Sequence, residues 1–240
     1  MKNILVTGVS RGLGLDITKT LLDNNCTVYG VSRKKTNEVD NLLSEYPDKF
    51  VFNEIDLNDT ENLIQNIKNV LPQSLIIHGF VNNAATAYDD IITNLNLEKL
   101  KNMYNVNVFS PLILTKFIIR NMLLNKVQGS IVHISSISVH TGYKGLSMYA
   151  SSKGSLEAFS KNASREWGEK GIRSNCVVAG FMDTDMSSAL GDDLKNRIKN
   201  RTSLKRLTDL QSVSNTVEFL ISDKSKSITG QLINVDSGTI

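Results

Sequence analysis

The chain has 240 residues, 40% of them hydrophobic and 21% charged, with a formal net charge of +3. That length and apolar share suit one domain with an ample core, and so small a positive excess does not by itself imply a nucleic-acid partner. Two cysteines, three prolines and no Cys/His cluster at metal-ligand spacing argue against a disulfide framework, a flexible linker and a metal centre. No stretch of about 18 apolar residues stands out, and Met1-Lys2-Asn3 leads straight into the first strand-like run. Neither a signal peptide nor a membrane span is therefore expected, and a cytoplasmic location is.

Ile4-Leu5-Val6 is an apolar run leading into Thr7-Gly8-Val9-Ser10-Arg11-Gly12-Leu13-Gly14. Leu15, Ile17, Leu21 and Leu22 then recur at helical spacing until Asp23-Asn24-Asn25. This order of strand, glycine turn and helix predicts a dinucleotide site: glycines admit a pyrophosphate, and the N–H groups and dipole of the helix start attract its charge. Gly8-Val9-Ser10-Arg11-Gly12 also satisfies the G-x-S-x-G elbow of serine hydrolases. That elbow lies well inside its domain and needs a following histidine. Only His78, His133 and His140 are available, and His133 sits in an apolar run that predicts a buried strand.

Cys26–Val31 is a second β-rich run and completes a βαβ unit. A dinucleotide enzyme selective for NAD carries a carboxylate at the end of this strand, where it binds the ribose hydroxyls. Ser32 occupies that position, followed by Arg33, Lys34 and Lys35. With no carboxylate to repel a 2′-phosphate, and with Ser10, Arg11, Ser32 and Arg33 to bind one, NADP(H) is the expected cofactor. Lys34 and Lys35 read equally well as a solvated loop.

Strand-like runs recur near 3–7, 26–32, 50–55, 75–81, 130–135, 172–178 and 231–235. Helical periodicity covers Leu95–Leu124, Met148–Gly168 and Val213–Ile221. The alternation predicts an α/β fold, a Rossmann-type doubly wound and mostly parallel seven-stranded sheet with helices on both faces. One domain spans 1–240, with a cofactor-binding half over about 1–125 and a catalytic half over about 126–240. Cys26 and Cys176 each open a β-like run and read as small buried hydrophobes.

Tyr149-Ala-Ser-Ser-Lys153 opens a helical segment, and Ser135-Ser136 closes the strand before it. Residues four apart on a helix share a face, so the ammonium can stabilise a phenolate and make the tyrosine an acid/base for a carbonyl or alcohol oxygen. Farther on, Phe181–Thr208 carries Arg197, Lys199, Arg201, Lys205 and Arg206 and reads as a mobile lid or a plain solvated helix, solvation being the default for any single charge.

Taken together the motifs resemble the classical short-chain dehydrogenase/reductases over essentially the whole chain, most closely the 3-oxoacyl-(acyl-carrier-protein) reductase branch. They are Thr7-Gly8-x-x-x-Gly12-x-Gly14, Asp56-Leu57, Asn82-Asn83-Ala84, Asn107, Ser136, Tyr149-x-x-x-Lys153, Ala179-Gly180-x-x-x-Thr184 and the segment from Gln231 to Asp236. Ala85, Ala179 and Ser237 depart from the family's Asn-Asn-Ala-Gly, Pro-Gly and Asp-Gly-Gly.

The resemblance implies Asn107, Ser136, Tyr149 and Lys153 as the catalytic set. Tyr149 would protonate the ketone oxygen and Ser136 hydrogen-bond it. Lys153 would lower the tyrosine pKa and bind the nicotinamide ribose, and Asn107 would hold a water linking Lys153 to solvent. Around NADP(H) it implies Gly8, Ser10, Arg11, Gly12, Leu13, Gly14, Ser32, Arg33, Asp56, Leu57, Asn83, Ala84, Ala85, Tyr149, Lys153, Gly180 and Thr184. Asp56 would accept from the adenine amino group, though it also fits an ordinary helix N-cap.

A 3-oxoacyl thioester on acyl carrier protein is the implied substrate, with Lys126 and Lys170 as carrier-docking cations. Small ketones, sugars and other secondary alcohols stay open as substrates, and a non-catalytic dinucleotide-binding protein is the reading from another class. A homotetramer is implied by the two long helices, with Ile113, Phe117 and Phe159 as contributors that burial within one subunit explains equally well.

Overall fold

The computed structural model of the chain describes residues 1–72, 74–184 and 191–240. Its strands are β1 (Lys2–Thr7), β2 (Cys26–Ser32), β3 (Phe50–Glu54), β4 (Gly79–Asn82), β5 (Ser130–Ser136), β6 (Arg173–Ala179) and β7 (Leu232–Val235). They form one seven-stranded sheet in the order β3-β2-β1-β4-β5-β6-β7. Every pairing is parallel. The order reverses at β1, which opens a crevice at the carboxyl ends of β1 and β4 where open α/β sheets bind ligands.

The helices are α1 (Gly12–Asp23), α2 (Asn37–Glu45), α3 (Leu63–Val70), α4 (Leu97–Tyr104), α5 (Ser110–Leu124), α6 (Ser138–Thr141), α7 (Ser147–Trp167), α8 (Asp192–Arg201) and α9 (Leu210–Ile221). Two apolar layers sandwich the sheet. One gathers Ile17, Leu21 and Leu22 of α1 with Val213, Val217 and Leu220 of α9. The other gathers Leu63 and Ile67 of α3 with Leu114, Ile118 and Met122 of α5. Burial on both faces is why the central strands read as continuous apolar runs instead of alternating ones.

Two expected boundaries shift for identifiable reasons. The strand expected over 75–81 pairs only from Gly79, because side chains intercept the backbone before it. Ile77 N–H donates to Asn121 Oδ1 at 2.9 Å, Asn121 Nδ2 donates to the Leu75 carbonyl at 2.9 Å, and Asn3 Nδ2 donates to the Ile76 carbonyl at 2.8 Å. The long helix expected over Leu95–Leu124 starts at Leu97, where Asn96 caps it by accepting from Lys99 N–H at 3.0 Å. It then widens into a π turn over Asn105–Phe109 before resuming as α5.

Within the helical run Leu97–Leu124 an 18-residue window has a mean hydropathy of 1.2, enough by length and composition alone to cross a membrane. Half of that window is buried inside the protein, as in a core helix. Cys26 and Cys176 are both free and buried, as expected of small hydrophobes. His133 is fully buried in β5, edge-on to the rings of Phe80 and Phe159.

Candidate active site

The glycine turn joins β1 to α1 and is shaped by close approach. Gly8 and Gly12 lie at φ +76° and +54°, the left-handed region that suits glycine. A Cβ on Gly14 would stand 1.9 Å from the Gly8 carbonyl oxygen. Arg11 enters α1 in extended conformation and its own side chain does not cap the helix, whose first backbone N–H groups face the turn. Leu13 turns inward to the core while Arg11 is exposed. The site fits a pyrophosphate at this helix end.

At the end of β2, Ser10 N–H donates to Ser32 Oγ at 3.2 Å. Thr36 Oγ1 donates to the Ser10 carbonyl at 2.8 Å, a tie between the two loops that the sequence did not signal. Ser10, Ser32 and exposed Arg33 thus border one rim; β2 itself ends without a carboxylate, while Glu54 of β3 stands in register with Ser32. Lys35 is engaged elsewhere: it pairs with Asp40, and its N–H donates to Glu54 Oε1 at 3.1 Å.

Thr7, which opens the glycine motif but carries no role legible in the sequence, ties this crevice together. Its buried hydroxyl accepts from Asn83 N–H and Ala84 N–H, each at 3.1 Å. Asn83 Nδ2 reaches back to the Thr7 and Gly8 carbonyls at 3.0 and 3.3 Å. Together these bonds lock the loop carrying Asn83, Ala84 and Ala85 onto the glycine turn. Asn82 points away, toward His133 Nδ1 at 3.3 Å. Asp56 is exposed and accepts from Asn58 N–H at 2.9 Å, an Asx turn that leaves its second oxygen toward solvent. Leu57 beside it is buried.

Ser136, Tyr149 and Lys153 converge at the carboxyl end of β5 and the first turns of α7. The Ser136 hydroxyl lies near enough to the Tyr149 phenol to lower its pKa, and it accepts from Ser138 N–H at 3.1 Å. Lys153 is buried, donates to the Ile134 carbonyl at 2.9 Å and stands 5.9 Å from the centroid of the Tyr149 ring. Burial holds the Tyr149 phenol high, at about 12; the charge of Asp89 raises it further and the Ser136 hydroxyl opposes both. Burial likewise depresses Lys153 to about 8. Desolvation therefore sets the phenol high, contrary to the expected lowering by the Lys153 ammonium.

Asn107 is fully buried at the centre of the π turn. Its Oδ1 accepts from Thr86 N–H at 2.9 Å, and its Nδ2 donates to the Thr86 carbonyl at 2.9 Å and to Ser152 Oγ at 3.0 Å. Both amide hydrogens are spent on protein partners, so any water the side chain held would sit on the remaining lone pair of Oδ1.

From β6, Gly180 N–H donates to the Val235 carbonyl at 2.9 Å. A Cβ on Gly180 would meet Thr208 Oγ1 at 2.2 Å, so only glycine fits this crossing. Thr184 lies over the glycine turn, its Cβ 3.8 Å from where a Cβ on Gly12 would be. Part of the expected lid, residues 185–190, lies outside the described residues. Its described remainder includes α8, where Arg197, Lys199 and Arg201 are exposed and Lys195 pairs with Asp183 at 2.7 Å.

A family model described as enoyl-(acyl carrier protein) reductase matches residues 8–239. The chain belongs to the short-chain dehydrogenase/reductase family. It is 33% identical over 240 residues to the 3-oxoacyl-(acyl-carrier-protein) reductase FabG of Chlamydia trachomatis serovar D, covering 99% of this chain and 96% of the relative. With the Escherichia coli K12 protein of the same name it shares 32% over 239 residues, again 99% and 96% of the two chains. A solved 4-hydroxyisoleucine dehydrogenase complexed with NADH superposes with a TM-score of 0.93 at 25% identity, over 100% of this chain and 98% of that one. This short-chain dehydrogenase/reductase is thus an oxidoreductase acting on CH–OH or C=O groups with a nicotinamide dinucleotide.

Proposed function

We propose that this enzyme uses NADPH to reduce the 3-oxo group of an acyl thioester held on acyl carrier protein, as a cytoplasmic homotetramer. One observation carries the reading: Ser136, Tyr149 and Lys153 meet at the sheet end that also bears the glycine turn. The residues around the glycine turn would hold the dinucleotide, whose chemistry when bound would be to supply hydride to the ketone carbon. Tyr149 gives its proton to the ketone oxygen, and Ser136 donates a hydrogen bond to the charge that develops there. The raised phenol pKa keeps Tyr149 protonated at neutral pH, the form that reduction consumes. Lys153 serves the ribose side of the nicotinamide, and Asn107 braces the loop between β4 and α4.

The substrate rests on full-length similarity to two proteins named as 3-oxoacyl-(acyl-carrier-protein) reductases. Exposed Lys126 and Lys170 lie on neighbouring loops, since Arg173 N–H donates to the Gly129 carbonyl at 2.9 Å. Both precede their strands, at the sheet end opposite Ser136. An acidic carrier seated on these two cations would face away from the Ser136–Tyr149 site of the same protomer, so they lend the carrier reading no support within one protomer.

The likeness to 4-hydroxyisoleucine dehydrogenase favours a second reading, a small secondary alcohol or ketone as substrate. Comparing acetoacetyl-carrier protein with small ketones in one NADPH-consumption assay separates the two. Preference for the thioester supports the proposal, and a large preference for small ketones removes it. Silence across thioesters, diketones and keto-sugars would favour a dinucleotide-binding protein without activity.

A further inference from the structure

Beside the site lies a buried carboxylate that the reaction does not use. Glu157 stands on α7, eight positions after Tyr149, and is only 8% exposed. Its Oε1 accepts from the hydroxyl of Ser135, which is itself buried. His140 Nε2 approaches the same carboxylate at 3.2 Å from Oε1 and 3.1 Å from Oε2. A carboxylate so deeply placed is expensive unless its oxygens are bonded, so these partners are held firmly.

The partners flank Ser136. Ser135 precedes it on β5, and His140 belongs to α6, a helix of four residues that begins at Ser138, whose N–H orients the Ser136 hydroxyl. A helix so short has little stability of its own. Beyond it, Gly142 and Gly145 lie at φ +64° and +86°, with nothing within 4 Å of a Cβ on either. Ile137 N–H ties the start of α6 to the Ala179 carbonyl at 3.0 Å, so it is the far end, at His140, that would wander relative to Tyr149 without a further anchor.

We propose that Glu157 is a positioning residue for the reaction: it clamps Ser135 and His140, on either side of Ser136, to the same helix that carries Tyr149. The clamp fixes the distance between the hydrogen-bond donor and the proton donor. Its consequence for turnover rests on the reductase reading above; its consequence for the placement of Ser136 beside the Tyr149 phenol does not.

Two measurements on the full-length chain test it. In NADPH-dependent turnover of an acetoacetyl thioester, Glu157→Leu should lower kcat about tenfold to a hundredfold, as expected when a reacting group moves by about an ångström, with KM for NADPH within about twofold. Glu157→Gln keeps the reach and one acceptor oxygen for the Ser135 hydroxyl, with an amide N–H that can donate to a neutral His140, and should restore most of kcat. In protein labelled with ¹³Cζ-tyrosine, the Tyr149 resonance is assigned through Tyr149→Phe. In Glu157→Leu it should move toward its position in Ser136→Ala, and in Glu157→Gln it should stay. This second reading is independent of turnover, so a protein silent toward all carbonyls would sink the reductase reading and still judge the clamp. Should Glu157→Leu fail to fold, His140→Leu, at a half-exposed position, should show the same shift with a smaller loss of kcat. An unmoved resonance with unchanged kcat, or Glu157→Gln as impaired as Glu157→Leu, would overturn the proposal.

Discussion

Asn107 grips both backbone polar groups of Thr86, accepting from its N–H and donating to its carbonyl at 2.9 Å each. The π turn rotates Asn107 inward, toward the loop that follows β4 and away from solvent. Asn107→Ala would leave the Thr86 N–H and carbonyl and the Ser152 hydroxyl without this partner. Stability should fall by about 1–3 kcal/mol, or roughly 2–12 °C in Tm for a chain of this size. Thermal unfolding followed by circular dichroism checks this, with the far-UV spectrum unchanged below the transition.

Tyr149→Phe removes the proposed proton donor and little else. Turnover should fall by roughly 10²–10⁴-fold, the usual worth of a positioned acid, while NADPH affinity stays within a few-fold. Single-turnover kinetics and nicotinamide fluorescence titration report the two quantities separately. Undiminished turnover would remove Tyr149 from the reaction.

Lys153 should leave a signature in stability against pH. Its native pKa of about 8 lies below the ordinary 10.5 because burial penalises the ammonium. Between those values the unfolded chain binds more protons than the native one, so stability rises with pH across that window. Below pH 8 the whole penalty is present, on the order of 3 kcal/mol. Lys153→Met should abolish the rise and stabilise the protein at neutral pH by up to that amount. Urea midpoints of the two proteins from pH 7 to 10 decide it.

His133 should shape the acid limb in the same direction. Burial depresses its pKa from 6.5 to about 3, with Lys153 adding to the effect. The native protein resists a proton that the unfolded chain accepts, so stability should fall as pH drops from 6.5 toward 3. The full loss is roughly 5 kcal/mol. His133→Leu should flatten this limb relative to the unmodified protein, at the cost of the Asn82 contact.

Cofactor choice should turn on the end of β2. Ser32→Asp with Arg33→Ala puts a carboxylate where a 2′-phosphate would sit and removes the exposed guanidinium. One charge-assisted contact is worth roughly 1.5–3 kcal/mol, so the unmodified enzyme should prefer NADP(H) by about tenfold to a few hundredfold and the double variant should reverse that. Equal kcat/KM for both cofactors in the unmodified enzyme would contradict the assignment.

The sequence by itself determined the strand–turn–helix alternation, hence the parallel sheet, and the identity of the groups at its carboxyl edge. Periodicity and the glycine spacing of Gly8, Gly12 and Gly14 are local, and the Tyr149–Lys153 spacing is one helical turn, so each is legible within a short window. Only the tertiary structure decided what those groups experience. Burial and Asp89 set the Tyr149 phenol high. Thr7, Thr36, Asn121 and Glu157 act on residues 17 to 77 positions away. A hydroxyl or amide has no sequence pattern for the partner it meets across the sheet, and desolvation depends on everything packed around a group. Both arise only when the chain has folded.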